Sequence, residues 1–332
     1  WHVQRIQSVV LSLVVVAGLF VPSVDCFGLQ GLAVGSADSQ RGRTRCPGAA
    51  VTGLLRKDRN SRLALPILKA LRGGMDQTME RTLITFDIDG TICVQDESQI
   101  NVTPNAMHTR AFSFAFKEVF GIEASINEVP HQGSTDPLIL VKVLLARGYG
   151  KEEVVERLDA MKEAMVRYVT ENGGEASDGL KLLPGVKELL LRLSQTPNVV
   201  IGLVTGNLQP IAWTKMEALG IVDCFSVPRI GGFGSDYCSF DPDRAAEDRT
   251  ELIRIAAKKA DESYGGGFKR RIHIGDAPND VRAAAGAGAI PVGVCTGVFS
   301  KEELTAAVPE AAVLKDLSNL DEVLEAFGMS GA

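Results

Sequence analysis

The chain has 332 residues, 45% hydrophobic and 23% charged, with a net charge of −6, a composition that fits one or two globular domains and excludes a disordered or fibrous chain. Its six cysteines (Cys26, Cys46, Cys93, Cys224, Cys238 and Cys295) are scattered without a Cys-x-x-Cys, so neither a zinc site nor a disulfide framework is indicated and a reducing compartment fits best. Residues 1–26 are neutral and 27–75 carry +7, which leaves −13 on 76–332; a segment that acidic is a poor binder of nucleic acid or anionic membrane and needs locally placed basic residues to hold an anionic substrate.

Residues 9–21 form an apolar run after Arg5, short for a bilayer span but right for the hydrophobic region of a secretory signal. Val24 and Cys26 supply small residues at −3 and −1 of a cleavage before Phe27. Nine Arg or Lys follow in 27–75 against Asp38 and Asp58, a transit-peptide composition. Signal (1–26) plus transit-like stretch (27–75) resembles the bipartite presequence of proteins entering plastids bounded by extra membranes. It implies a mature protein in the plastid stroma without a stable membrane anchor. The alternative is a secreted or membrane-anchored protein with a linker.

The first predicted strand, 83–86, stops at Asp87-Ile88-Asp89-Gly90-Thr91. Apolar runs of this length that end in a glycine signal are core strands of a parallel sheet, and ligands gather at the C-terminal edge of such strands. Two carboxylates so close repel each other unless a cation or a shared proton separates them. The pair implies a bound divalent metal, a proton shuttle, or both; an Asp-rich turn without chemistry is the alternative.

Helical spacing then predicts 107–120, 137–146 and 151–170, with Pro104 and Asn105 at the first start and Gly148 and Gly150 between the second and third. This all-helical insertion, 96–181, reads as a lid beside a core of 76–95 and 182–332. Pro184 opens a helix over 186–193. A second strand, 198–205, ends in Thr205-Gly206-Asn207 before a helix over 209–219; hydroxyl and backbone NH groups there suit a phosphate oxygen, although these three residues alone more often make just a turn. Residues 224–227 read as a third strand. Gly231-Gly232-Phe233-Gly234 lacks the Lys-Ser/Thr of a phosphate-binding loop and reads as a flexible connection. A helix is expected over 250–259. The fourth strand, 271–274, ends in Gly275-Asp276-Ala277-Pro278-Asn279-Asp280, where Asp280 can also cap a helix over 281–285. A fifth strand (290–294) and helices over 302–307 and 320–327 close a doubly wound parallel α/β sheet.

The three strand-end motifs, in this order and with a helical insert after the first, resemble the haloacid dehalogenase-like hydrolase superfamily, nearest its phosphoglycolate phosphatase and β-phosphoglucomutase-like members. The resemblance covers roughly 81–327. It implies a Rossmann-like core with an inserted helical cap, a small phosphorylated metabolite as substrate, and Mg²⁺ as cofactor. Asp87 resembles the nucleophile that forms an aspartyl-phosphate, and Asp89 the general acid/base. Thr205 and Gly206 would hold a phosphoryl oxygen. Asp87, Asp276, Asp280 and Asp89, the last through its backbone carbonyl, resemble the metal site. The family's Lys-Pro before the fourth strand is absent. Arg249, placed at the start of the helix over 250–259, stands in its place; its rival Lys215, in the middle of a helix, reads as part of a solvated face.

The resemblance implies a phosphomonoesterase. Dehalogenation is disfavoured because it has no use for Asp89. A sugar-phosphate mutase is a nearer alternative: His108 resembles a residue of the mutase cap helix, and the loop containing Gly133 and Thr135 resembles its specificity loop. Where such mutases carry an Arg for a second phosphate, however, this chain has Asp136, whose charge would repel it. His108 and His131 read otherwise as partly exposed residues. A non-catalytic assembly or regulatory protein on the same fold is the remaining alternative.

Overall fold

The computed structural model describes residues 80–95, 106–176 and 179–329. The expected presequence, 1–75, lies outside them. In chain order the strands are β1 (Arg81–Phe86), β2 (Cys93–Gln95), β3 (Leu180–Leu182), β4 (Val199–Thr205), β5 (Gly231–Phe233), β6 (Phe268–Gly275), β7 (Ile290–Val294) and β8 (Ala312–Leu314). The α-helices are α1 (Ala106–Ala115), α2 (Asp136–Ala146), α3 (Lys151–Glu171), α4 (Val186–Ser194), α5 (Gln209–Ala218), α6 (Ala245–Tyr264), α7 (Pro278–Gly286), α8 (Lys301–Ala307) and α9 (Leu320–Ala326).

Six strands make one parallel sheet in the order β5-β4-β1-β6-β7-β8. The central strand β1 pairs with β4 on one side and β6 on the other, Phe86 standing opposite both Leu203 and Ile274. Ile84 and Phe86 pack with Leu189, Leu190, Leu193 and Phe327 on one face of the sheet. On the other face Leu83 meets Val200, Ala257 and Ala260, and Val204 meets Leu252 and Ala283. Helices thus cover both faces, which is why β4 and β7 are apolar almost throughout, whereas β6 carries Lys269, Arg270 and Arg271 in its less buried first half and is buried from Ile272 onward. The strand order reverses at β1, and the ends of β1, β4 and β6 form the crevice where such sheets bind ligands.

Helices α1, α2 and α3 close around their own apolar cluster, including Phe112, Phe116, Leu140, Leu144, Leu158 and Met165. Leu208 and Ile211 join that cluster from α5 and its approach, so this helical layer is packed onto the sheet-covering layer by shared apolar contacts. Thr135 caps α2, accepting from Leu138 N at 3.3 Å, with Pro137 in the first turn; proline is tolerated there because its missing NH has no helical partner.

Several elements differ from the sequence reading. Residues 224–227 form no strand: a 3₁₀ turn, Val222–Cys224, occupies this place. The third strand of this half is instead β5, inside the stretch read as a flexible glycine loop. A Cβ on Gly232 would stand 1.9 Å from the Leu252 carbonyl oxygen, so the glycines there allow α6 to lie directly on the strand. Helix α6 begins at Ala245, not Thr250, and continues to Tyr264. β8 and the antiparallel pair β2–β3 were not expected; each of these strands has three residues, too few for a legible pattern.

Candidate active site

The sheet brings four carboxylates to one crevice. Asp87 leaves β1 with its NH donating to Ile274 O at 2.9 Å. Asp276 follows β6, and Asp280 sits in the first turn of α7, where its Oδ2 accepts from Ala277 N at 3.0 Å. Capping and clustering are therefore both true of Asp280. Asp87, Asp276 and Asp280 each offer an oxygen, all within 4.8 Å of one another. Burial foremost pushes the Asp87 carboxyl up to about 6; the Arg249 charge opposes this and those of Asp280 and Asp89 add to it. Asp276 is held well above the ordinary range by burial, then by Asp280 and Asp87.

Around Asp276 the chain leaves no spare room. A Cβ on Gly90 would lie 2.4 Å from Asp276 Oδ2, and one on Gly297 would lie 1.7 Å from it. Gly90 also has φ of +85°, a conformation that glycine adopts without steric cost. Thr91 Oγ1 donates to Asp276 Oδ1 at 3.4 Å. Three hard carboxylate oxygens in so closed a cradle suit a small divalent cation such as Mg²⁺, whose charge would relieve the mutual repulsion that raises these groups.

Arg249 Nη2 lies 2.7 Å from Asp87 Oδ1, and its Nε donates to Asp280 Oδ1. Because α6 starts earlier than expected, Arg249 sits in its second turn with the side chain 3% exposed. It is seated on two carboxylates, not at an open phosphate seat. Behind them, Thr85 Oγ1 donates to Ile272 O at 3.1 Å and lies 3.1 Å from His273 Nδ1, whose Nε2 is 3.8 Å from Asp280 Oδ1.

Asp89 stands apart from the three-carboxylate cluster. Its side chain, 43% exposed to the crevice, receives Lys215 Nζ at 2.8 Å on both oxygens and Asn207 Nδ2 at 3.0 Å on Oδ2. Burial works against its charge, but Lys215 and then His108 hold its carboxyl below the usual range. The sequence reading of Lys215 as a solvated face is wrong: its side chain is 0% exposed. Lys215 and Arg249 are not rivals for one position, since each has its own carboxylate.

Thr205 is buried, and its Oγ1 accepts from Asn207 N at 3.3 Å, so its hydroxyl proton remains to donate. Gly206 touches the helical layer: its carbonyl accepts from Asp136 N at 2.8 Å, and a Cβ there would meet Ser134 O at 2.3 Å. Gly133, with φ of +69°, lies against Ala277 and Asn279. Thr135 is the buried cap of α2. His108 is buried as well, with Nε2 3.0 Å from Asp136 Oδ2 and Nδ1 3.3 Å from Lys215 Nζ. Asp136, expected to repel a second phosphate, is 2% exposed, and the same oxygen also accepts from Leu208 N at 2.9 Å. That carboxylate therefore faces His108 and a backbone NH.

Sequence reasoning named Lys215 only as the rival of Arg249 for the phosphate, not as the partner of Asp89, and left Asn207 without a role. The signal for Lys215 was its place on the apolar stripe of α5, four residues after Ile211 and three after Ala212, both buried.

A family model for haloacid dehalogenase-like hydrolase matches residues 82–288. The phosphoglycolate phosphatase of Escherichia coli strain K12 is 28% identical over 174 residues, 52% of this chain and 61% of that protein. The phosphoglycolate phosphatase of Yersinia pseudotuberculosis is 27% identical over 180 residues, 54% of this chain and 68% of that protein. The match to the Escherichia coli protein thus spans about three fifths of that relative's own length. Among solved structures, a β-phosphoglucomutase from Clostridium difficile is 22% identical with a TM-score of 0.48, over 75% of this chain and 98% of that one.

Proposed function

The chain belongs to the haloacid dehalogenase-like hydrolases, and from that premise we propose that it is a Mg²⁺-dependent phosphatase of a small phosphomonoester, acting through an aspartyl-phosphate on Asp87. The observation that supports this most is the division of labour between two carboxylates two residues apart. Asp87 is held by Arg249 within the acidic cluster, and Asp89 is held by Lys215 and Asn207 outside it.

In this reading an Asp87 oxygen attacks phosphorus while the ester P–O bond breaks. Asp89 gives its proton to the leaving alkoxide, then takes one from the water that hydrolyses the aspartyl-phosphate, splitting one displacement into two. Thr205 donates its hydroxyl to a phosphoryl oxygen. Arg249 keeps Asp87 oriented and contributes positive charge beside the transferring group. Asp87, Asp276 and Asp280, with the Asp89 backbone carbonyl, would hold Mg²⁺, which when bound would supply positive charge to the phosphoryl oxygens. Helices α1–α3 and residues 96–181 act as a cap, presenting Gly133 to the loop of Asp276–Asp280.

The substrate class is proposed as phosphoglycolate-like, in keeping with the curated relatives. Mutase chemistry is the second reading. Incubating residues 76–332 and Mg²⁺ with phosphoglycolate, p-nitrophenyl phosphate and glucose 1-phosphate decides between them. Free phosphate supports the phosphatase, glucose 6-phosphate the mutase, and no turnover of any ester the non-catalytic alternative. Placement in the plastid stroma remains a proposal resting on residues 1–75. Protein from the native source should begin near residues 70–80, whereas a start at Phe27 would favour secretion. Among the described residues, no helix is long and apolar enough to cross a membrane.

A further inference from the structure

Lys215 is a buried ammonium with three donors and three acceptors. Nζ reaches Asp89 Oδ1 and Oδ2 at 2.8 Å each and His108 Nδ1 at 3.3 Å, which uses its full donor capacity. Since Lys215 can only donate, His108 Nδ1 accepts, and Nε2 carries the ring proton toward Asp136 Oδ2. Asp136 is fixed in turn by Leu208 N at 2.9 Å, and its own NH by Gly206 O at 2.8 Å. A continuous polar string thus runs from the start of α2 through α1 to α5 and ends on Asp89. An unpaired ammonium at 0% exposure would be costly. Its placement on an apolar helix stripe therefore has a specific use.

We propose that Lys215 is a positioning residue for the reaction: it fixes the Asp89 carboxyl in the orientation from which a proton passes to the leaving oxygen, and the pair His108–Asp136 fixes Lys215. This rests on the reading of Asp89 as acid/base. The hydrogen bonds of Lys215 Nζ are to the Asp89 carboxylate and His108, not to the carboxylates of Asp87, Asp276 or Asp280, so it acts through the Asp89 side chain. When Asp89 carries the proton, Lys215 holds one carboxyl oxygen and leaves the other to donate. After donation, both oxygens return to the ammonium, which is the arrangement observed. Asn207 Nδ2 restrains Asp89 from a second direction at 3.0 Å. Without Lys215 the carboxyl would lose the ammonium that holds both of its oxygens.

A residue that orients the acid matters in proportion to how much the leaving group needs a proton. The test compares kcat/KM, which reports the displacement on Asp87, for ethyl phosphate and p-nitrophenyl phosphate. Lys215→Met should lower it for ethyl phosphate by about 10²-fold and for p-nitrophenyl phosphate by less than about threefold, because a nitrophenolate leaves without protonation. Added to Asp89→Asn, Lys215→Met should cost nothing further, as for two residues acting as one unit. Equal losses with both esters, or full additivity with Asp89→Asn, would overturn the assignment. Thermal melting checks that each variant folds; if Lys215→Met does not, Lys215→Gln carries the same comparison. Wild-type protein that releases phosphate from neither ester would overturn the acid/base reading itself, an outcome distinct from equal losses in an active enzyme.

Discussion

Arg249 Nη2 stands 2.7 Å from Asp87 Oδ1 with only 3% of its side chain exposed, so this guanidinium both orients Asp87, the proposed nucleophile, and brings positive charge beside it. Its fork of donors also spans to Asp280, a geometry that an ammonium cannot reproduce. Arg249→Ala should lower kcat/KM by about 3–4 kcal/mol, the scale of a lost oxyanion donor. It should also lower the melting temperature, because Asp87 and Asp280 would lose their shared partner. Steady-state kinetics and thermal melting of the variant check both; activity within a few-fold of wild type would remove Arg249 from the mechanism.

The two acids of the first motif should respond differently. Asp87→Asn should abolish turnover, since an amide cannot form the acyl phosphate. Asp89→Asn should slow it by about 10²–10⁴-fold, the range for loss of a general acid/base. Rates measured with the same ester in both variants make the comparison, and appreciable turnover by Asp87→Asn would contradict the mechanism.

Metal binding should be visible without any substrate. The Asp87 carboxyl is raised to about 6 and that of Asp276 is raised further. Raised carboxyls favour the fold while they are protonated, and that contribution disappears as pH rises through the folded-state value. Bound Mg²⁺ needs them ionised, so added Mg²⁺ should raise the melting temperature clearly at pH 7.5 and little at pH 4.5. Asp276→Asn should remove the shift. Equal shifts at both pH values would contradict the assignment of these ligands.

A second pH effect belongs to the helical layer. Glu128 accepts from Arg147 Nε and Nη2, both at 2.7 Å, and from Ser125 N at 2.8 Å. These bonds, Arg147 first, lower its carboxyl from 4.5 to about 2. A lowered carboxyl stabilises the fold above its unfolded value, and the contribution is lost as pH falls through the folded one. Glu128→Gln should therefore melt below wild type at pH 6, with the gap closing as the pH drops from 4.5 toward 2. A gap that does not depend on pH would show that this charge is not involved.

The strands and helices legible in the sequence were those with long apolar runs or clear helical spacing, and β1, β4, β6 and β7 fall where expected. Asp87 and Asp276 were visible because each follows directly on such a strand, and Asp89 and Asp280 because they belong to the same two strand-end motifs. The contacts of Lys215, His108 and Asp136 were not, because each depends on which face of a helix meets another element. Mid-helix lysines are ordinarily solvated, whereas this one is enclosed where Asp89 and His108 meet it. The position of β5 was hidden for the opposite reason: glycines give no apolar signal, although here their missing side chains are what allow α6 to approach.

The central claim is a covalent intermediate on Asp87, and Asp89→Asn is the protein in which to find it, because its hydrolysis should be slowed. Acid-quenched Asp89→Asn, incubated with Mg²⁺ and phosphate-labelled p-nitrophenyl phosphate, whose leaving group needs no proton, should carry label. Borohydride treatment should then convert residue 87 to homoserine, as read by peptide mass spectrometry. Label on another residue, or steady turnover with residue 87 unmodified after reduction, would contradict the account.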